Sequence, residues 1–137
     1  MSRQISHRKP IYLMKKIITS SNAPAPIGPY SHAVLAGNTL YVSGQVGKKA
    51  SGEMMLKDIQ TETKQVMENI QAILKEAEMD FGQVVKTTIF LKDMNNFSIV
   101  NEMYGSYFSG QFPARETVQV SRLPLDVNVE ISVIAVK

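Results

Sequence analysis

Two charged side chains stand in stretches whose pattern does not call for them. In FPARETVQV, Phe112 to Val120, Arg115 sets a permanently charged guanidinium behind Pro113 and Ala114, at the mouth of a segment that otherwise alternates like a strand. In VNVEISVIAV, Val127 to Val136, Glu130 interrupts one of the most apolar runs in the chain. A fixed cation and a carboxylate that can exchange a proton are ingredients of acid–base chemistry, provided the fold brings them together. If SRLPLD turns the chain between Leu123 and Pro124, the flanking strands pair as a hairpin and Thr117 lies opposite Glu130. Arg115 is then the diagonal neighbour of Glu130 at ~7–8 Å. A one-residue slip would put the two charges on opposite faces. Asn128, Glu130 and Ser132 form a polar patch that passes on the same face into Ile134 and Val136, so this strand is expected to run from a polar pocket into a core. The ordinary alternative is a solvated cross-strand Arg–Glu pair, worth ~0–1 kcal/mol.

The elements that must position these residues can be read in order. KIITS, from Lys16 to Ser20, reads as a first strand, and SNAPAPIGP supplies three prolines and a glycine that forbid regular structure. SHAVLA and TLYVSG flank Gly37-Asn38, a hairpin signal, with Leu40 and Val42 on one side and Tyr41 and Ser43 on the other. From Asp58 to Glu78, Ile59, Val66, Ile70, Ile73, Leu74 and Ala77 recur at helical spacing, while Glu62, Lys64, Glu68, Lys75 and Glu76 are assigned mostly to the remaining faces. VVKTTIFLKDM reads as a β-branched strand with Val85, Thr87, Ile89 and Leu91 on one face. Asn95 or Asn96 can cap a second helix through about Phe108. Gly110 and Pro113 end it, the Arg115 strand follows, and Val127 to Val136 closes the domain. The sum is an α+β fold, a mixed sheet with two helices on one face.

The 137 residues suit one domain able to bury a core without crosslinks. With no cysteine, thiol catalysis, disulfides and zinc-thiolate sites are excluded. His7 and His32 are the only histidines and form no metal cluster, and no Walker, HExxH or GxGxxG pattern occurs. The formal charge is +3, but Arg3, Arg8 and Lys9 lie in the first thirteen residues with no acid, and the remainder is balanced at 12 basic against 12 acidic. A neutral body gives no footprint for phosphate backbones, so no nucleic-acid partner is expected. No apolar run has the length of a membrane span, so no membrane partner is expected. Residues 1–13 are expected to be a mobile extension before a domain spanning 14–137.

IGPYSHA, YVSGQVG, VVKTTIFLKDMNNFSIVNEMYGSYF, FPARETVQVSRLP and VNVEISVIAV together closely resemble the Rid family of reactive-intermediate deaminases, also called YjgF-type proteins. The resemblance spans about Met14 to Lys137. It implies a chorismate-mutase-like fold, a homotrimer with pockets between subunits, and hydrolysis of 2-enamine and 2-imine acids to 2-keto acids and ammonia without a cofactor. It also implies a small-molecule imine or 2-keto acid as ligand, and a cytoplasmic location, or a mitochondrial one if the extension is a transit peptide.

Carried over residue by residue, the resemblance gives Arg115 the substrate carboxylate, a task suited to its planar fork, and gives Glu130 the positioning of water and the shuttling of a proton. Tyr30 matches a pocket wall, with a half-buried packing ring as the alternative. Ser43 and Gly44 match a strand end that approaches ligand, and a bulge needing small residues is compatible with that. Asn101 lies beside the implied pocket on the stripe of Phe97, Val100 and Tyr104, where ligand contact and a buried structural bond are both open. His32 reads as a strand residue. Thr117 stands where some members have cysteine, and Ser132 where many have a second acid, so substrate preference is open. A ligand-sensing or protein-binding module using the same pocket without turnover is the alternative function.

Overall fold

The computed structural model describes residues 14–137. The expectation for the extension lies outside them. Six strands and two main helices follow in the order β1 (Lys15–Ile18), β2 (Ala33–Ala36), β3 (Thr39–Gln45), α1 (Ile59–Glu76), β4 (Val84–Leu91), α2 (Phe97–Gly105), β5 (Ala114–Gln119) and β6 (Val129–Val136). They form one mixed sheet ordered β1-β2-β3-β6-β4-β5. The α+β architecture and the single helical layer agree with the sequence reading.

Asp58 caps α1 by accepting from the Thr61 amide at 2.7 Å. The stripe of Val66, Ile70, Ile73 and Leu74 buries completely against the sheet, as an amphipathic helix requires. The β2–β3 hairpin pairs Ala36 with Thr39 around Gly37, whose φ of 60° suits glycine. Asn96 stands at the start of α2 without a side-chain cap bond. The preceding 3₁₀ turn is capped by Asp93, which accepts from the Asn95 amide.

Four local expectations are corrected. β5 and β6 are not a hairpin: β5 runs parallel to β4, pairing Thr87 with Arg115, and β6 pairs antiparallel with both β3 and β4. The α2 crossover carries the chain from β4 to a parallel neighbour, and β6 then takes the other edge of β4. The register of β4 shifts between Val84 and Lys86, so Val84 is buried and Val85 is exposed. On β6, Val129, Ile131, Val133 and Ala135 enter the core. Glu130, Ser132, Ile134 and Val136 lie on the opposite face, so no polar-to-core transition occurs along that face. Glu62 is fully buried rather than solvated.

The sheet face away from the helices carries Ile17, Tyr41, Val118 and Val136, all substantially exposed. Among the described residues no helix is long and apolar enough to cross a membrane.

Candidate functional site

Arg115 and Glu130 are on opposite faces of the sheet. Arg115 shares the face of Thr87, beneath α2, where its guanidinium lies 5.2 Å from the Tyr104 ring centroid and 5.7 Å from that of Phe97. Glu130 pairs with Phe90 on the open face. β4 stands between their strands, so two strand spacings, about 10 Å, and the thickness of the sheet separate the charges. The diagonal contact expected from a hairpin does not form, because β6 pairs with β4 and β3 and not with β5.

The remaining candidates gather around these two residues in separate clefts. The first, about 430 Å³, brings together Tyr30, Ser43, Gly44 and Glu130, with Ile27 and Leu125 among its apolar walls. Two residues of β3, Ser43 and Gly44, fall in a register shift between Val42 and Gln45 opposite β6. That bulge turns the Gly44 backbone against Glu130 so tightly that a Cβ there would lie 2.8 Å from its Cδ. Ser43 is fixed by donating its hydroxyl to the Ser31 carbonyl at 2.6 Å. Tyr30 is half exposed, and its hydroxyl accepts from the Ile27 amide at 3.4 Å. Burial raises the Glu130 carboxyl above its ordinary range, and among the described residues no hydrogen bond or ion pair offsets it.

His32 also touches this cleft, but both ring nitrogens are engaged. Nδ1 accepts from the Ser20 amide at 3.1 Å, which places the proton on Nε2 for donation to the Pro24 carbonyl at 2.7 Å. It is a buried brace for the proline-rich loop, next to β2 rather than within it.

The second cleft, about 450 Å³, groups Asn101, Tyr104, Phe112, Pro113 and Arg115. Tyr104 donates to Thr87 Oγ1 at 2.9 Å, and burial raises its phenol above the usual range against the opposing effects of Thr87 and Arg115. The Oδ1 of Asn101 and the Oγ1 of Thr117 are buried without a partner among the described residues. A guanidinium supported on two rings beside unsatisfied polar atoms suits an anionic ligand with further polar groups.

Residues 20–137 match the family described as endoribonuclease L-PSP. The chain belongs to this YjgF/Rid family. A RutC family protein of Pyrococcus horikoshii is 50% identical over 125 residues, 90% of this chain and 99% of that protein. The 2-iminobutanoate/2-iminopropanoate deaminase of Mus musculus is 48% identical over 126 residues, 91% of this chain and 93% of that protein. E. coli TdcF, solved with bound serine, superposes with a TM-score of 0.86 at 39% identity, covering 89% of this chain and 98% of that one. The mixed sheet and helical layer are therefore those of YjgF/Rid proteins.

Beyond the expected set, the sequence reading missed Phe97 and Tyr104 as supports of Arg115, although their spacing from Asn101 on one helical face was visible. It also missed Glu62, which falls three residues after Ile59 and four before Val66, within the apolar stripe.

Proposed function

We propose that this YjgF/Rid protein hydrolyses 2-imino acids, the tautomers of 2-enamine acids, to 2-keto acids and ammonia at sites completed between copies of the chain. The carrying observation is Glu130: a carboxylate that makes no ion pair among the described residues, held against Gly44 in a cleft large enough for a small amino-acid derivative. Mammalian relatives named as deaminases of 2-iminobutanoate and 2-iminopropanoate support the substrate class. Serine bound to TdcF is of similar size.

Arg115 takes the substrate carboxylate through two parallel bonds. The substrate reacts with its imine nitrogen protonated: Glu130 accepts a proton from water as the water oxygen bonds to the imine carbon and the C=N π pair passes to nitrogen, which becomes an amino group. The same carboxyl then delivers that proton to the amino nitrogen of the carbinolamine. The C–N bond breaks with its pair leaving on ammonia, the hydroxyl proton passes to Glu130 as the keto group forms, and Glu130 gives that proton to the departing ammonia, which leaves as ammonium and restores the carboxylate. Because Arg115 and Glu130 lie on opposite faces within one chain, Arg115 of one copy must face Glu130 of the next. The exposed apolar sheet face supplies a surface for such association, a closed homotrimer in this reading.

The test generates 2-aminoacrylate and 2-iminobutanoate enzymatically and follows keto-acid release with the wild-type protein and Arg115→Ala. Accelerated release that Arg115→Ala abolishes is expected. Absence of acceleration with both substrates, while a 2-keto acid still binds, would overturn hydrolysis in favour of a sensing module.

A further inference from the structure

We propose that Glu62, which lines neither cleft, is the positioning residue for Glu130, an inference that rests on the imine-hydrolysis reading above. Its place is anomalous: a fully buried carboxylate on the core stripe of α1, where a leucine or methionine would bury without loss of hydration. Its bonds explain it. Oε2 accepts from the Asn128 amide at 2.8 Å and the Val129 amide at 3.1 Å, and Oε1 accepts from Asn128 Nδ2 at 2.7 Å. These are the two residues immediately before Glu130.

That end of β6 needs an outside anchor. Its last pair with β3 joins Gln45 to Ile131, so Glu130 lies beyond the ladder on that side and is held in register only by β4. The bulge that brings Gly44 onto Glu130 thus also frees the strand end that carries it. Glu62 replaces the missing ladder bonds with charge-assisted ones from the helix layer.

The same helix holds the opposite wall. Seven residues on, Asn69 donates to the Val46 carbonyl at 3.0 Å and the Lys48 carbonyl at 2.8 Å. Between those two, Gly47 packs so closely that a Cβ would lie 2.6 Å from Glu62 Cγ. Two buried polar residues on one face of α1 therefore hold both the Glu130 strand and the segment following Gly44. Glu62 touches both.

Glu62→Gln tests this. With its amide oxygen in place of Oε2 it keeps the backbone bonds, but its NH₂ then opposes the Asn128 NH₂. Adding Asn128→Asp restores that bond with reversed polarity. The expected result is a kcat lower by roughly 100-fold with KM little changed in Glu62→Gln, as for displacement of a reacting group by about 1 Å, and recovery of most of the loss in the double variant. Crystal structures of both variants provide a readout independent of turnover: the Glu130 carboxyl should leave Gly44 in the single variant and return in the double. A wild-type protein without imine hydrolysis would defeat the functional reading alone, and the crystal structures would still decide the positioning role. A lowered melting temperature with kcat unchanged, or Glu130 unmoved in the single variant, would overturn the inference.

Discussion

Gly44 and Glu130 are in backbone-to-carboxyl contact across the β3 bulge, and only the absence of a Cβ permits it. The atoms that a methyl group would meet belong to the end of a flexible side chain. The fold can therefore absorb Gly44→Ala by swinging Glu130 aside. Little change in melting temperature and a turnover loss of roughly 100-fold are expected. Thermal denaturation beside the imine assay checks this, and a comparable fall in both would show that the glycine serves packing alone.

Arg115 should tolerate lysine poorly. An ammonium keeps the charge but not the two-pronged geometry or the breadth of guanidinium that lies over the Tyr104 and Phe97 rings. Charge-assisted hydrogen bonds contribute ~1.5–3 kcal/mol, so Arg115→Lys should weaken 2-keto acid binding by about 10- to 150-fold, nearly as much as Arg115→Ala. Titration calorimetry of the three proteins measures it.

The raised Glu130 carboxyl fixes the sign of a pH effect on stability. Below the ordinary carboxylate range the folded and unfolded chains both hold the proton. As pH rises past the unfolded value, the unfolded chain ionises first, and stability falls until the folded group ionises too. Glu130→Gln removes this loss. The variant should melt higher than the parent at neutral pH, with the difference shrinking below about pH 4, while hydrolysis slows on the order of 100- to 10,000-fold. A gap in melting temperature that does not depend on pH would assign the effect to something other than ionisation.

Subunit mixing tests whether the site spans two chains. Arg115→Ala and Glu130→Gln chains, expected to be nearly inactive when expressed separately, are co-expressed. Random closed rings of three should nevertheless regain about one quarter of the wild-type sites, because every mixed ring has one interface with both native residues. Activity that stays at the level of the separate variants would place the whole site within one chain.

How far the sequence showed all this depended on whether a feature was local. The periodicity of α1 and the Gly37-Asn38 turn are local, and the structure reproduces both. The partner of β6 is not. A short connection after β5 suggests a hairpin, but composition argued otherwise: β6 is apolar enough to sit between two strands, whereas Glu116 and Gln119 suit β5 to an edge. Leu125 and Asp126 also depart from an ordinary turn, both adopting positive φ in the 3₁₀ segment Pro124–Asp126. The candidate residues are each legible singly in the sequence, and the structure places them in two groups. Their division between opposite faces depends on strand order, which pairwise spacing in the sequence does not encode.

The sheet order has a consequence for biosynthesis. β6 joins the β1-β2-β3 half to the β4-β5 half, and it is the last of the six strands to be translated. Until it leaves the ribosome, β3 and β4 each present an unpaired edge, and α1 covers an incomplete surface. The nascent chain therefore cannot acquire its native sheet stepwise; completion awaits insertion of one strand between two waiting partners. Chaperone contact should persist through synthesis of Val129–Val136, and ribosome-stalled chains ending before Val129 should remain protease-sensitive.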